Sequence, residues 1–431
     1  MNMKKVLIEA PILTQSGYGE HSRLVFESIK SQPGLEFHIH PLKWGATSWK
    51  SDLDPAIEAG IKRFHENLAH CNANNVQPEY DAQIHVGIPS EFEKKAKYSV
   101  MVTAGIETDR VSWSWILKTH QGIDKVIVPS HHSRNTYGGT TYEVMNQQNN
   151  TRSEIGCNCP IDVVPYPVKN IEPKDVDLNL ETDFNFLNIG LLGPRKNIEQ
   201  CVLWFLKEFK NDSNVGLILK TGMSKGTQLD RQNTLNAIKK IVDAEPNRKC
   251  KIYLLHGNMS EEEIHSLYVH PKIKAIITTT HGEGYGLPLF EAAYSGLPVV
   301  ATDWSAHLDF LEGKVKNKKT GKEKSKKLFA RVEYKLKEID QSAVWNDILV
   351  EGSKWAYPEE ISFRKQISKV KSNYGMYKSW AKTLKEQVVE SHEYGKVLEQ
   401  MRTAIGIESP AENNQEVMEE IEALFSSLPE E

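Results

Sequence analysis

Two glutamates, Glu283 and Glu291, stand eight positions apart in the stretch THGEGYGLPLFEAA, with three glycines around the first and Pro288 between them. Carboxylates accept hydrogen bonds from vicinal hydroxyls, and such charge-assisted bonds are stronger than neutral ones. Backbone N–H groups at the start of a helix favour anions. The pattern therefore suits a ligand that carries both hydroxyls and phosphates.

The elements that must hold these glutamates lie on either side of them. The apolar run IKAIITT, residues 273–279, is typical of a buried strand in its length and β-branched content. The stretch LPLFEAAYSG has apolar residues at helical spacing, with Pro288 suited to a first turn and Gly296 to a stop. Glu283 then follows a strand and Glu291 lies early in the next helix. In a parallel α/β sheet, ligands bind at this edge.

Strand and helix patterns alternate along two halves of the chain. The strands predicted in the first half are residues 4–10, 36–42, 80–86, 98–104, 124–130 and 161–167. Those predicted in the second half are residues 184–190, 215–222, 251–257, 273–279 and 297–303. Such alternation predicts an α/β fold with a doubly wound parallel sheet in each half. A ligand is then expected in the cleft between the halves.

Residues 197–210, NIEQCVLWFLKEFK, give one of the helical patterns of the second half. Ile198, Val202, Phe205 and Phe209 fall on one face, and Asn197 is a plausible N-cap. The polar residues 168–183 before this half are predicted to be the linker.

Composition excludes several classes of protein. The 431 residues allow two or more domains, and 39% hydrophobic with 26% charged residues is ordinary for a soluble globular protein. The apolar runs are far shorter than the roughly 20 residues of a membrane span. Five cysteines suit a reducing cytoplasm, which is the expected location. Cys157 and Cys159 lack a second pair and the usual spacing of a zinc site, so no metal is expected.

The block GEGYGLPLFEAAYSGLPVVATD resembles the donor-binding signature of the large retaining glycosyltransferase family with the GT-B fold, of the group 1 or family 4 type. That signature is an E-x(7)-E pair with glycines between, followed by GLPVVAT. The segments DKVIVPSHHSRN, LLGPRKNIEQCVLWF and LLHGNMSEEEIHSLY resemble other parts of the family in the right order. Together they cover roughly residues 5 to 310.

The resemblance implies a hexosyl- or pentosyltransferase that uses a nucleotide sugar as donor substrate and requires no cofactor. Glu283 would contact the transferred sugar, and Glu291 would hold the ribose. The donor diphosphate would lie beside Arg195 and Lys196, which precede a helix. It would also meet the turn formed by Gly284, Tyr285, Gly286 and Leu287.

Two positions depart from the family pattern. Many members carry a histidine at the end of the fourth N-terminal strand, where this chain reads TAGIETDR and offers Glu107 and Asp109 as catalytic candidates. His85 and His21 are alternatives. The arginine often found in the G-R-L segment is Leu191 here, so the donor is expected to depend more on Arg195, Lys196 and Lys220.

Gly17 and Gly19 lie in the loop TQSGYGEHSR, which has only the first two glycines of a dinucleotide-binding fingerprint. They are predicted to let the backbone approach the donor diphosphate and the acceptor. The predicted domains are an acceptor-side domain, 1–180, and a donor domain, 181–385, with a basic insertion at 313–337. Residues 386–431 are expected to form helices that return to the first domain, followed by an acidic tail.

The basic insertion carries eleven basic and two acidic residues, a net charge of +9, whereas the whole chain has a net charge of −4. A solvated loop is the commonest form of such a run. The opening LTQSGYGEHSR also resembles glycosyltransferases of large tailed phages, which modify hydroxylated bases of their DNA in the host cytoplasm. A DNA acceptor would then contact the insertion. The residues expected to do so are Lys316, Lys318, Lys319, Lys322 and Lys324.

Three alternatives remain open at this point. One is a transferase for a glycan, lipopolysaccharide or capsule acceptor. The second is a nucleotide-sugar epimerase, which shares the fold and needs no acceptor. The third is a non-catalytic nucleic-acid-binding protein, against which the intact Glu283 and Glu291 argue.

Overall fold

The computed structural model describes residues 3–45, 47–146, 150–224, 226–316 and 321–408. The predicted acidic tail lies outside these residues, and so do two of the predicted acceptor residues, Lys318 and Lys319. In the described part of the chain, no helix has the length and apolar character needed to cross a membrane.

The first half contains a six-stranded sheet in the order β2-β1-β3-β4-β5-β8, in which all neighbouring strands are parallel. Its strands are β1 (Lys4–Ala10), β2 (Leu35–Pro41), β3 (Tyr80–Val86), β4 (Ala96–Val102), β5 (Lys125–Val128) and β8 (Ile161–Val163), and an antiparallel hairpin is formed by β6 (Thr141–Asn146) and β7 (Thr151–Gly156). Its helices are α1 (Gly17–Ile29), α2 (Pro55–Ala73), α3 (Trp113–Thr119) and α4 (His131–Gly139).

The second half repeats the scheme, with a parallel sheet in the order β11-β10-β9-β12-β13-β16. Its strands are β9 (Phe184–Ile189), β10 (Val215–Lys220), β11 (Lys251–Leu255), β12 (Ile273–Ile277), β13 (Val299–Thr302) and β16 (Ala330–Val332). Two antiparallel hairpins accompany the sheet, β14 (Glu312–Lys316) with β15 (Glu323–Lys327), and β17 (Tyr334–Glu338) with β18 (Lys354–Pro358).

The helices of the second half are α5 (Ile198–Phe209), α6 (Gln228–Val242), α7 (Glu261–Val269), α8 (Leu287–Ser295), α9 (Leu308–Leu311), α10 (Glu360–Ser372), α11 (Tyr374–Ser391) and α12 (Tyr394–Ile405). α5, α6 and α10 bury their apolar faces on one side of the sheet, and α7 and α8 pack on the other. The last helix, α12, packs against α1 of the first half. The chain therefore returns to the half in which it began.

These two doubly wound parallel sheets confirm the fold class predicted from the sequence. Every predicted strand segment contains a strand, although several end earlier than predicted; the segment 161–167 is a strand only over Ile161–Val163. Helix α5 buries the predicted face. Asn197 precedes it with a left-handed backbone (φ +53°) and no capping hydrogen bond from its side chain, which donates instead to the Thr279 carbonyl at 3.2 Å.

Candidate active site

The loop between β12 and α8 brings Glu283 to the place where the two halves meet. Its neighbouring glycines are required by close contact, because the backbone of this loop lies directly on the loop that follows β4 of the first half. A Cβ atom on Gly284 would stand 1.8 Å from the carbonyl oxygen of Ala104, and one on Gly282 would stand 2.2 Å from that of Glu107. Any larger residue would push the halves apart at this point.

Glu283 belongs to a cluster of four charged side chains. Strands β9 and β12 are neighbours in the sheet, so the loops at their carboxyl ends lie together and Arg195 and Lys196 face Glu283. The Lys196 Nζ atom lies 2.7 Å from Glu283 Oε1, and Arg195 Nη1 lies 3.1 Å from Glu283 Oε2. Arg195 Nε lies 2.9 Å from Glu107 Oε2. Arg195 therefore joins one carboxylate from each half.

Burial and charge act in opposite directions within this cluster. Burial disfavours ionisation of Glu283, but the charges of Lys196 and Arg195 outweigh it and lower the Glu283 pKa to about 2. Burial raises the pKa of Glu107, with Arg195 opposing the shift and the negative charge of Glu283 adding to it. Burial also lowers the pKa of Lys196. The two carboxylates thus share one guanidinium but differ in how readily they hold a proton.

A first cavity of about 460 Å³ opens beside this cluster, between the two halves. Glu107, Arg195, Lys196 and Glu283 line it, together with the turn from Gly284 to Leu287 and with Gly17 at the start of α1. Pro288 lies in the first turn of α8, whose N-terminus therefore faces the same space. The fixed positive charges and the helix end together favour an anionic group there.

A second cavity of about 380 Å³ contains Glu291 on α8. The Tyr268 hydroxyl donates a hydrogen bond to Glu291 Oε2 at 2.7 Å. Burial raises the pKa of Glu291 to about 7, and the hydrogen bond from Tyr268 opposes that shift. Lys169 of the linker bridges the rim of this cavity, with its Nζ atom 2.8 Å from Glu20 of α1 and 3.1 Å from Glu261 of α7.

A third cavity of about 260 Å³ contains Lys220 at the end of β10. Its Nζ atom donates to the Gly257 carbonyl at 2.5 Å, and burial lowers its pKa. The three cavities adjoin one another, because Tyr166 and Leu287 line both the first and the second, and Ile264 lines both the second and the third. The structure therefore places the predicted donor residues along one path at the carboxyl edge of the second sheet.

Some predicted residues are not brought to this path. The Asp109 carboxylate accepts a hydrogen bond from the Lys354 N–H at 2.6 Å, and its own N–H donates to the Lys354 carbonyl at 2.9 Å, so it joins the first half to β18. Gly19 packs on Thr14, whose carbonyl oxygen would lie 2.0 Å from an added Cβ. Neither residue lines the three cavities.

The two alternative histidines lie within the first half and also line none of these cavities. His21 is completely buried beside Tyr166, and burial lowers its pKa to about 4. His85 is buried close to the Glu9 carboxylate, 3.8 Å away. Of the catalytic candidates that were predicted near the cleft, namely Glu107, Asp109, His21 and His85, Glu107 is therefore the one that lines the first cavity.

The predicted acceptor lysines that the structure describes, Lys316, Lys322 and Lys324, lie on the β14–β15 hairpin or its connection. This hairpin packs along α11, where the side chain of Gln387 pairs with both backbone polar groups of Lys314. Lys326 lies over the Trp380 ring, 4.0 Å from its centroid. None of these lysines lines the three cavities.

The sequence analysis missed an aromatic and aliphatic wall of the first cavity. Trp345, Ile348 and Leu349 contribute to it from the long loop between β17 and β18. The only sign of this wall in the sequence was the group of apolar residues in AVWNDILV, residues 343–350, within a polar stretch. In the part of the chain that the structure describes, no group of three histidine, cysteine or acidic side chains is arranged to hold a metal ion.

Comparison with known proteins agrees with this architecture. Residues 170–338 match the family described as Glycosyl transferases group 1. Among curated relatives, the serotype-specific mannosyltransferase WbdA of Escherichia coli is 29% identical over 121 residues, which is 28% of this chain. The match spans only 13% of the length of that relative.

Two solved structures show the fold over nearly the whole chain. The Escherichia coli trehalose-6-phosphate structure bound with UDP-2-fluoro glucose has a TM-score of 0.57 at 10% identity, covering 94% of this chain and 100% of that one. Sucrose-phosphate synthase from Thermosynechococcus elongatus has a TM-score of 0.56 at 12% identity, covering 92% and 97%. The chain has the GT-B fold, and its second half contains the segment of the group 1 type.

Proposed function

We propose that this chain, with a group 1 segment on a GT-B fold, moves a hexose from a nucleotide sugar to a hydroxyl acceptor with retention of configuration. The observation that carries this proposal is the row of adjoining cavities from Lys220 past Glu291 to Glu283. Along it the side chains change from a lysine, to a carboxylate, to a cluster of cations around a second carboxylate. A nucleotide sugar presents its parts in the matching order.

Each part of the donor finds suitable chemistry on this path. The base lies in the cavity that is lined by Lys220 and by residues 256–258. The ribose diol donates to Glu291. The diphosphate lies at the N-terminus of α8, beside Arg195 and Lys196, and the sugar lies against Glu283.

The charge cluster gives a physical reason for catalysis at this point. When the glycosidic bond breaks, the leaving diphosphate gains negative charge. Arg195 and Lys196 are held in place by Glu283 and Glu107, so they stabilise that charge without having to reorganise. In the mechanism that the family resemblance implies, the leaving phosphate helps to deprotonate the acceptor hydroxyl on the same face of the sugar. Glu107 faces the cavity from the acceptor side.

The acceptor that we propose is a glycan rather than DNA. The described lysines of the β14–β15 hairpin do not line the cavities, and the hairpin packs along α11 instead. The curated relatives are serotype-specific mannosyltransferases by name, which also favours a saccharide acceptor.

Release of nucleoside diphosphate from a panel of nucleotide sugars tests this function. We expect slow release by the purified chain alone, and faster release when a saccharide acceptor is added. Isomerised donor without any release would indicate an epimerase. No turnover, together with salt-dependent binding of DNA, would indicate a nucleic-acid-binding protein and contradict the proposal.

A further inference from the structure

We propose that the loop between β17 and β18, residues 339–353, forms the acceptor subsite, and that the acceptor is an uncharged saccharide whose ring packs on Trp345. This inference rests on the proposed function and names the substrate class of the same site. Trp345, Ile348 and Leu349 of this loop line the first cavity, which also contains Glu107 and Glu283.

The loop is fixed to the opposite half, so its wall is preformed. The Ser114 hydroxyl donates a hydrogen bond to the Asp347 carboxylate at 2.8 Å, and Lys354 makes the two bonds with Asp109 described above. Within the loop, Trp345 and Leu349 exchange backbone hydrogen bonds of 3.0 and 2.8 Å. A loop of the donor half is thereby held across the acceptor side of the cleft.

Aromatic residues of the first half also line this cavity. Tyr18 and Trp44 pack with their ring centroids 4.2 Å apart. Trp115 lines the cavity as well and is 1% exposed. The cavity therefore has aromatic walls from the first half in addition to Trp345.

Trp345 itself remains 62% exposed, although it lines the cavity. A large aromatic side chain left open at the mouth of a cavity offers an apolar face to a ligand. The C–H face of a pyranose ring fits such a surface, while its hydroxyls can bond to Glu107. The subsite thus combines one apolar face with a few placed polar groups, as ligand sites usually do.

The charges that the structure describes in the cavity leave no cation for an anionic acceptor, because Arg195 and Lys196 are the groups assigned to the donor diphosphate. Among the described residues that line it, the charged side chains are Glu107, Glu283, Arg195 and Lys196, and they pair with one another. Two positive charges are matched by two negative ones. A phosphate backbone needs several unmatched cations, and the acceptor side of this cavity provides none among those residues.

The test uses the full chain and the variants Trp345→Ala and Trp345→Phe, with Trp49→Ala as the matched control. Trp49 is similarly exposed, at 57%, and lines none of the three cavities. The acceptor probes are neutral methyl pyranosides and short neutral oligosaccharides. The DNA probe is an oligonucleotide with a hydroxymethylated pyrimidine. Nucleoside diphosphate release gives the acceptor KM, and release without acceptor gives the donor reaction alone.

We expect Trp345→Ala to raise the acceptor KM about 3- to 10-fold, the range for loss of one aromatic contact. The acceptor KM should change more than donor hydrolysis without acceptor does, Trp345→Phe should restore most of the affinity, and Trp49→Ala should behave as wild type. Ligand-detected NMR of the same saccharides provides a binding measurement that does not depend on turnover. There too, binding should weaken in Trp345→Ala and not in Trp49→Ala.

Three outcomes would overturn the inference, and the first two of them leave the proposed function intact. The first is an unchanged acceptor KM in Trp345→Ala. The second is an equal loss of acceptor affinity in Trp49→Ala. The third is sugar transfer by wild type to the oligonucleotide and to none of the saccharides. Failure of wild type to bind or hydrolyse any nucleotide sugar is a different result, because it would overturn the proposed function and the acceptor subsite with it.

Discussion

The raised pKa of Glu291 predicts that nucleotide binding depends on pH. If the ribose diol donates hydrogen bonds to this carboxylate, the donor binds the ionised form, and binding must release the proton that the free protein holds. The Glu291 pKa of about 7 places this change in the neutral range. In the variant Glu291→Gln the side chain keeps its shape but cannot titrate.

Among the ionisable groups around this cavity, Glu291 is the one whose ionisation we expect to change between pH 6 and 8. Burial opposes ionisation of Glu20, but the charges of Lys169 and Arg23 outweigh it and lower the Glu20 pKa to about 2. Burial lowers the pKa of Lys169, but the charges of Glu20 and Glu261 outweigh it and raise that pKa. Burial lowers the pKa of His265. The Tyr268 and Tyr294 pKa values are raised by burial.

The size of the effect follows from the fraction of Glu291 that is ionised. With a pKa near 7, roughly a tenth is ionised at pH 6 and roughly nine tenths at pH 8, so affinity should rise about tenfold, or about 1.4 kcal/mol. Calorimetric titration at pH 6, 7 and 8 with whichever of UDP, GDP and ADP binds tightest gives this slope. Titration of the nucleotide phosphate contributes equally to both proteins, so it cancels in the difference between wild type and Glu291→Gln. Equal slopes for the two proteins would refute the assignment of Glu291 to the ribose.

Three further predictions concern stability, closure and the basic hairpin. When folding raises the pKa of a carboxyl, that group stabilises the fold fully below its unfolded pKa, and this contribution is lost as pH rises through about 7. Thermal melts should therefore show that the free energy of unfolding of Glu291→Gln gains up to about 3 kcal/mol over that of wild type between pH 4.5 and 8. Lys196→Met leaves the buried Glu283 with one cation fewer and should lower the free energy of unfolding by about 3 kcal/mol in denaturant titrations, whereas an unchanged midpoint would contradict the buried pairing. Replacing the hairpin lysines Lys316, Lys322 and Lys324 with glutamine should leave the KM for a neutral saccharide acceptor unchanged. A higher KM would indicate that the hairpin contacts the acceptor.

The sequence was informative wherever a local pattern determines a local structure. Pro288 and Gly296 bound α8 as predicted, with Gly296 in a left-handed conformation (φ +76°) that ends the helix. Largely apolar runs such as IKAII, which buries every residue except Lys274, became central strands because helices cover both faces of the sheet. These patterns also brought Glu283 and Glu291 to the carboxyl edge of the second sheet.

Such local patterns do not predict contacts between segments that are far apart in the chain. The chain shows Glu107 and Asp109 two positions apart, and only the docking of β18 explains why Asp109 bonds to Lys354 while Glu107 faces the cavity. The glycines around Glu283 suggested an anion-binding turn, yet Gly284 also permits the approach of Ala104 from the other half. The long loop that carries Trp345 has no periodicity, so its place in the cavity was not predicted.

The central claim is that the three adjoining cavities form one donor site. The most direct measurement is a crystal structure of the chain with a bound nucleoside diphosphate. We predict the base beside Lys220, the ribose hydroxyls within hydrogen-bonding distance of Glu291, and the phosphates between Arg195, Lys196 and the N-terminus of α8. A nucleotide bound elsewhere, or one in this cleft with its ribose away from Glu291, would contradict the account.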